Sequence, residues 1–273
     1  MSRGLQKLLH PGMSAQVFES GYDRVGGFVI DVADANALPT PEALLAAYRL
    51  GGDWGEWVDV VRFAIPACAH VTRPAAVERP WPSYPTGFLA PVGDAIVPVW
   101  NLSLTRFSPG AELWRIHRDG RQEMMLWYAG AARGWVGARG WRPASRFVGS
   151  RATWNDIEYA ADVTGDAVEL TAFQEQTDPA WTQHRPQTWS RTVPVAECEI
   201  SELIFGATVN GVAVRILEAN GDTAQVLLVG DDPADAQRIG ADLIDPGVFI
   251  NPAVPAASLE NRQLVANVRR ERS

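Results

Sequence analysis

Lysine is nearly missing from this chain. Lys7 is the one lysine in 273 residues, and every other basic side chain apart from histidine is arginine. A GC-rich coding sequence accounts for such a bias, and a demand for arginine's planar, bidentate fork is the alternative. Cysteine is scarce as well. Cys68 and Cys198 stand far apart, which excludes a C-x-x-C metal or redox motif. Two free thiols in a cytoplasmic protein is the reading adopted, with one disulfide left open. No apolar run reaches the roughly 18 residues of a membrane helix. Met1 to Pro11 lacks the apolar core of a signal peptide, so a cytoplasmic location is expected. The formal net charge of −8 disfavours nucleic acid and anionic membrane as partners, since both select basic patches.

The usual catalytic texts are missing too. The four histidines are His10, His70, His117 and His184, and none stands at i, i+4 from another. Cys68 and His70 form a short C-x-H pair, read as a buried thiol beside a surface histidine. There is no G-x-S-x-G nucleophile elbow. Gly26-Gly27 leads into an apparent strand rather than a helix, so it cannot cradle a phosphate on a helix N-terminus. The acids Asp231, Asp232, Asp235, Asp242 and Asp245 do not follow calcium-loop spacing and read as capping and solvated residues. No metal and no cofactor is expected from these patterns.

What is present is apolar material, 47% of the chain, enough for a full core. Residues 1–24 read as an irregular lead-in. Gly26 to Val32 reads as a strand, and Thr40-Pro41 as N-cap and first residue of a helix carrying Leu44, Leu45 and Tyr48. Trp57 to Ile65 alternates as a second strand, with Asp59, Val61 and Phe63 on one face and Val58, Val60 and Arg62 on the other. Two strands around a helix suggest a small α/β unit over 1–103. It includes the segment 72–98, where Pro74, Pro80, Pro82, Pro85, Pro91 and Pro98 forbid a long helix. Beyond it Leu113–His117 and Met124–Tyr128 flank Asp119-Gly120, a hairpin-turn signal.

The C-terminal half contains an internal repeat. Ala152-Thr153-Trp154-Asn155 matches Ala207-Thr208-Val209-Asn210, and Gly165-Asp166 matches Gly221-Asp222. Asp178-Pro179 then matches Asp232-Pro233, and Val193-Pro194 matches Val254-Pro255. Each copy reads as a five-strand unit resembling an SH3-like barrel. The fold class is therefore α+β and β-rich: an N-terminal α/β unit, then tandem SH3-like barrels at 151–200 and 201–265, with a tail at 266–273. A third copy over 104–150 is an open alternative, since it too has a Gly-turn hairpin and a late Trp141-Arg142-Pro143-Ala144-Ser145 run.

Eleven tryptophans are many for this length, and all fall before residue 190. Core filling explains most of them. Trp181 and Trp189, with His184 and Arg185 between them, sit in polar, loop-like text and are the candidate binding residues. The order Val60-Val61-Arg62-Phe63, Arg79-Pro80-Trp81-Pro82-Ser83-Tyr84-Pro85-Thr86-Gly87-Phe88, Gly110-Ala111-Glu112-Leu113-Trp114-Arg115-Ile116 and Asp119-Gly120 resembles uncharacterised actinobacterial-type proteins. Those are often encoded with NAD-glycohydrolase (tuberculosis necrotizing toxin-like) toxins. The likeness covers residues 25–145 and implies a toxin-associated role, as an immunity or accessory protein or as part of an effector. A second likeness, to ADP-ribosyltransferases, rests on Arg62, Thr86 and Glu112 in that order and implies NAD as ligand. The short span from Arg62 to Glu112 and the lack of a paired Glu-x-Glu near Glu112 stand against it. The expected function is thus a non-catalytic binder of a protein partner, such as a toxin. An NAD-consuming enzyme and a structural or assembly protein are the alternatives.

Overall fold

The computed structural model describes residues 4–52, 54–72 and 88–269. The chain is mostly β and forms two large, curled antiparallel sheets, of nine and eleven strands. The first runs in the order Val71–Thr72, Ala95–Arg106, Arg24–Asp31, Gly4–Leu8, Trp57–Ala64, Glu112–His117, Gln122–Tyr128, Trp135–Val136, with Phe88–Val92 also paired to Ala95–Arg106.

Gly4–Leu8 corrects two expectations. The lead-in at 1–24 is not irregular: this strand is central, and helix Pro11–Ser20 follows it, capped by the His10 ring accepting the Gly12 N–H at 3.1 Å. Gln6 and Lys7 make the strand look polar, yet both are fully buried. Gly4–Leu8 also lies between Arg24–Asp31 and Trp57–Ala64 and pairs antiparallel with each. The α/β unit expected from strand–helix–strand text is therefore an antiparallel sheet. Helices Val32–Ala35 and Pro41–Ala47 cover one face, packing Leu44, Leu45 and Tyr48 over Val58 and Val60. Helix Pro11–Ser20 covers the other, packing Met13 and Val17 over Leu5, Val61 and Phe63.

The boundary expected near 103 falls inside the continuous strand Ala95–Arg106. Residues 104–150 do not close into a third unit. The hairpin Glu112–His117 and Gln122–Tyr128 extends the first sheet from Trp57–Ala64, and Phe107, Tyr128 and Trp135 pack together in that sheet's core. Most of the proline-rich segment, including Trp81 and Thr86, lies outside the described residues.

The second sheet is built on one plan used twice. Thr182–Arg185, Thr188–Pro194, Ala167–Ala172, Ile157–Thr164 and Arg151–Trp154 lead to Glu199–Val209. Asp242–Asp245, Val248–Pro255, Thr223–Leu228 and Val212–Asn220 lead to the same strand, which then pairs with Glu260–Val268. Turn chemistry repeats with the strands. Asn155-Asp156 and Asn210-Gly211 all have positive φ, as a two-residue type I′ hairpin requires. A short 3₁₀ helix follows each Val-Pro, at Val195–Glu197 and Ala256–Ser258. Its first N–H donates to the Asp of the Gly-Asp turn: Val195 to the Asp166 carbonyl at 2.9 Å, Ala256 to that of Asp222 at 2.7 Å. The Asp-Pro landmarks also match, for the Asp178 and Asp232 carboxylates accept the Ala180 and Ala234 N–H groups at 2.9 and 2.8 Å. Because Glu199–Val209 closes the first set and opens the second, the copies cannot be cut apart at 200/201.

Buried charge joins the sheets. Lys7 in the first donates to the Pro246 carbonyl at 2.6 Å and lies 3.2 Å from Asp245 in the second. Burial pulls the Lys7 ammonium pKa down and pushes the Asp245 carboxyl up, and each charge opposes the other's shift. Pro246 also accepts the Phe28 N–H at 3.0 Å, beside a bulge at Gly27, where a Cβ would stand 2.3 Å from the Pro246 oxygen. Further along, Arg106 pairs with Asp162 at 3.1 Å and Thr105 donates to Glu202 at 2.8 Å. Glu202 pairs in turn with Arg215 at 2.9 Å, and Arg215 donates to the Leu104 carbonyl.

Candidate functional site

The four candidate binding residues are drawn inward. Trp181 is 6% exposed and packs on Tyr159 at 5.3 Å in the core of the first repeat. Trp189 packs against the same core, with its Nε1 buried and without a partner. His184 Nε2 lies 2.8 Å from Ser190 Oγ, and burial holds its pKa down. Arg185 donates to the Ala132 and Arg133 carbonyls at 2.8 and 2.9 Å and lies 4.8 Å over the Trp141 ring. Arg185 thus helps hold the loop after Tyr128 onto the second sheet, while His184 bonds within its own hairpin; the four do not make an open aromatic surface.

Arg62 and Glu112 do meet. They face each other on paired strands, within a row that crosses five strands: Gln6, Arg62, Glu112, Trp127, Val136. Arg62 donates to the Gln6 and Gln122 side chains at 2.9 and 2.8 Å and lies 5.1 Å over the Trp114 ring. Burial lowers the Arg62 pKa, and Glu112 opposes that shift. Glu112 accepts the Trp114 Nε1–H at 2.8 Å. Thr86, the third member of the NAD constellation, lies outside the described residues.

Around this pair is an uncovered surface. On this face Ile116 is buried with the helices' apolar side chains and Trp114 packs against them, whereas the outer strand of the hairpin is left exposed among the described residues. Met124, opposite Trp114, and the cross-strand pair Trp127 and Val136 are each 45–52% exposed. Sequence reading took Met124 to Tyr128 as a return strand without seeing this, because a continuous apolar run does not say which face is covered.

The opposite face of the same hairpin borders a cleft of about 620 Å³. Its wall is helix Pro11–Ser20, through Ser14, Ala15 and Phe18, and its floor includes Trp57, Asp59, Arg115 and Met125. Asp59 and Arg115 are cross-strand partners joined by two bonds of 2.9 and 3.0 Å, and Ser14 donates its hydroxyl to Asp59. Arg115 lies 4.7 Å over the Trp57 ring. Both Asp59 oxygens are thus occupied, by Arg115 and Ser14, which ties helix Pro11–Ser20 to the floor of the cleft. Alternation around Asp59 in an apolar strand was its sequence signal; Ser14 had none, lying in text read as irregular.

Among the described residues no three His, Cys, Asp or Glu side chains gather as a metal-holding group. Cys68 and Cys198 are free, and burial pushes the Cys68 thiol up to about 11. No described helix is long and apolar enough to cross a membrane. Comparison of the chain with family models, curated proteins and solved structures finds no match.

Proposed function

We propose that this chain is a non-catalytic protein-binding protein, and that its contact element is the hairpin Glu112–His117 and Gln122–Tyr128. The observation that carries this reading is the bare face holding Met124, Trp127 and Val136 beside the Arg62–Glu112 pair. Large apolar side chains clustered on a rigid sheet, with an arginine and an aromatic at the centre, are what interface hot spots are made of. Arg62 and Glu112 already have partners in Gln6, Gln122 and Trp114, which suits docking better than chemistry. The second sheet, read as two SH3-like barrels fused through Glu199–Val209, serves as scaffold; the shared strand order and paired 3₁₀ helices support that reading.

The partner to test first is a toxin of the NAD-glycohydrolase class, because residues 25–145 resemble proteins encoded with such toxins. A photo-crosslinking residue at Trp127 should capture the partner, whereas one at the distant turn residue Asp156 should not. Trp127→Ala should weaken binding by at least about tenfold while leaving the thermal midpoint within a few degrees. Equal capture from both positions, or unchanged affinity in Trp127→Ala, refutes the assignment.

A further inference from the structure

The last strand of the second sheet has an open edge whose charges, Glu260 and Arg262, are confined to its start. Glu260–Val268 pairs with Glu199–Val209 in continuous register from Val268 opposite Ser201 to Gln263 opposite Gly206, and Arg269 N–H donates to the Ile200 carbonyl at 3.0 Å. In an antiparallel ladder the backbone groups of alternate residues point the same way. Gln263, Val265 and Asn267 therefore turn theirs toward Glu199–Val209. Leu264, Ala266 and Val268 turn theirs outward, where no strand pairs with them among the described residues.

Proteins blunt such edges with shortness, charge or proline. The other marginal strands follow that rule. Val71–Thr72 and Trp135–Val136 are two residues each. Thr182–Arg185 ends in a charge, Asp242–Asp245 carries two, and Phe88–Val92 contains Pro91. Gln263 to Val268 has no charge, proline or glycine, and Leu264, Val265 and Val268 are 46–67% exposed.

We propose that two copies of this chain associate by antiparallel pairing of these edges about a two-fold axis at Val265. Only registers that set one outward residue opposite another can form a ladder. The Val265-centred register does so, placing Leu264 against Ala266 of the other copy as the bonded pairs. It also sets Val265 against Val265 and Gln263 against Asn267, so apolar meets apolar and amide meets amide at the centre of the seam, with Arg262 against Val268 at each end. This self-complementarity favours a second copy over an unrelated strand.

Sedimentation velocity on the full chain tests the idea. The mass should rise with concentration from 29.8 kDa toward twice that value. Leu264→Pro removes an outward N–H but no internal ladder bond, so it should hold the chain monomeric with its thermal midpoint unchanged. Val265→Lys should also abolish association by like-charge repulsion, and mixing it with Val265→Glu should restore a heterodimer. A chain that stays at 29.8 kDa up to several hundred micromolar overturns the proposal. So does a dimer that survives Val265→Lys, or a Lys/Glu mixture that stays monomeric.

Discussion

Replacing Lys7 by methionine isolates the joint between the sheets. Methionine keeps the length and apolar stem and removes the ammonium. Among the described residues the Asp245 carboxylate then keeps the His10 N–H at 2.7 Å, and the Pro246 carbonyl keeps that of Phe28. Removing one partner of a buried ion pair costs about 3–5 kcal/mol, because the other charge stays desolvated. Unfolding entropy near the midpoint is about 2.1 cal/mol/K per residue, so a chain of this length should lose about 5–9 °C in Tm. Removing both charges in Lys7→Met/Asp245→Asn should cost less than the two single changes added together, by about 2 kcal/mol or more. Urea unfolding of the four proteins, with thermal melts alongside, gives the cycle. If Lys7→Met loses less than about 1 kcal/mol, or the two changes simply add, the pair does not clamp the sheets and this account of the interface is wrong.

Other outcomes follow from the same structure. Asp231 is buried with one oxygen unpartnered and Asn101 3.4 Å from the other, and burial pushes its carboxyl up to about 6. A folded-state pKa above the unfolded value of about 3.9 gives stability that is full below that value and is lost as pH rises through the folded pKa. Asp231→Asn should therefore raise Tm at pH about 7.5, and the gain should vanish by pH about 4; equal gains at both values would sink the reading. Gly27→Ala puts a Cβ against the Pro246 oxygen at a φ of 73°, so it should destabilise strongly; a neutral melt would mean the Pro246 turn is not seated there. Purified protein is expected to leave NAD unconsumed, with Glu112→Gln identical to wild type. Turnover lost in Glu112→Gln would reinstate the NAD-consuming reading.

Local chemistry was legible in the sequence wherever it was carried by special residues. Thr40-Pro41 caps a helix, Asp119-Gly120 turns a hairpin, and the Gly-Asp and Asp-Pro landmarks recur in matching places. Pairing at a distance was not legible. Gly4–Leu8 is not legible because its two polar residues find partners far along the chain: the Gln6 side-chain oxygen in Arg62, and Lys7 in Asp245 and Pro246. Once that strand was overlooked, Arg24–Asp31 and Trp57–Ala64 looked like neighbours around a helix, and the α/β reading followed. The bare face at Trp127 was hidden for a related reason, since exposure depends on where helices from elsewhere stop.

Both repeats bridge their third and fourth strands with a loop anchored by an Asp-Pro cap, and both loops send apolar side chains inward. In the first the plug is Trp181; in the second, Ala236 of the short helix Pro233–Arg238 and its C-cap Ile239 join that copy's core. The Trp181 loop, which in sequence suggested a partner site, and the Asp232-capped helix of the second copy are thus two solutions to one packing problem. Trp181→Ala should behave as a core truncation, costing about 3–5 kcal/mol by urea unfolding, with any loss of partner affinity following the loss of folded protein. A stable Trp181→Ala with selectively lost binding would return the contact surface to the loop and remove it from the hairpin.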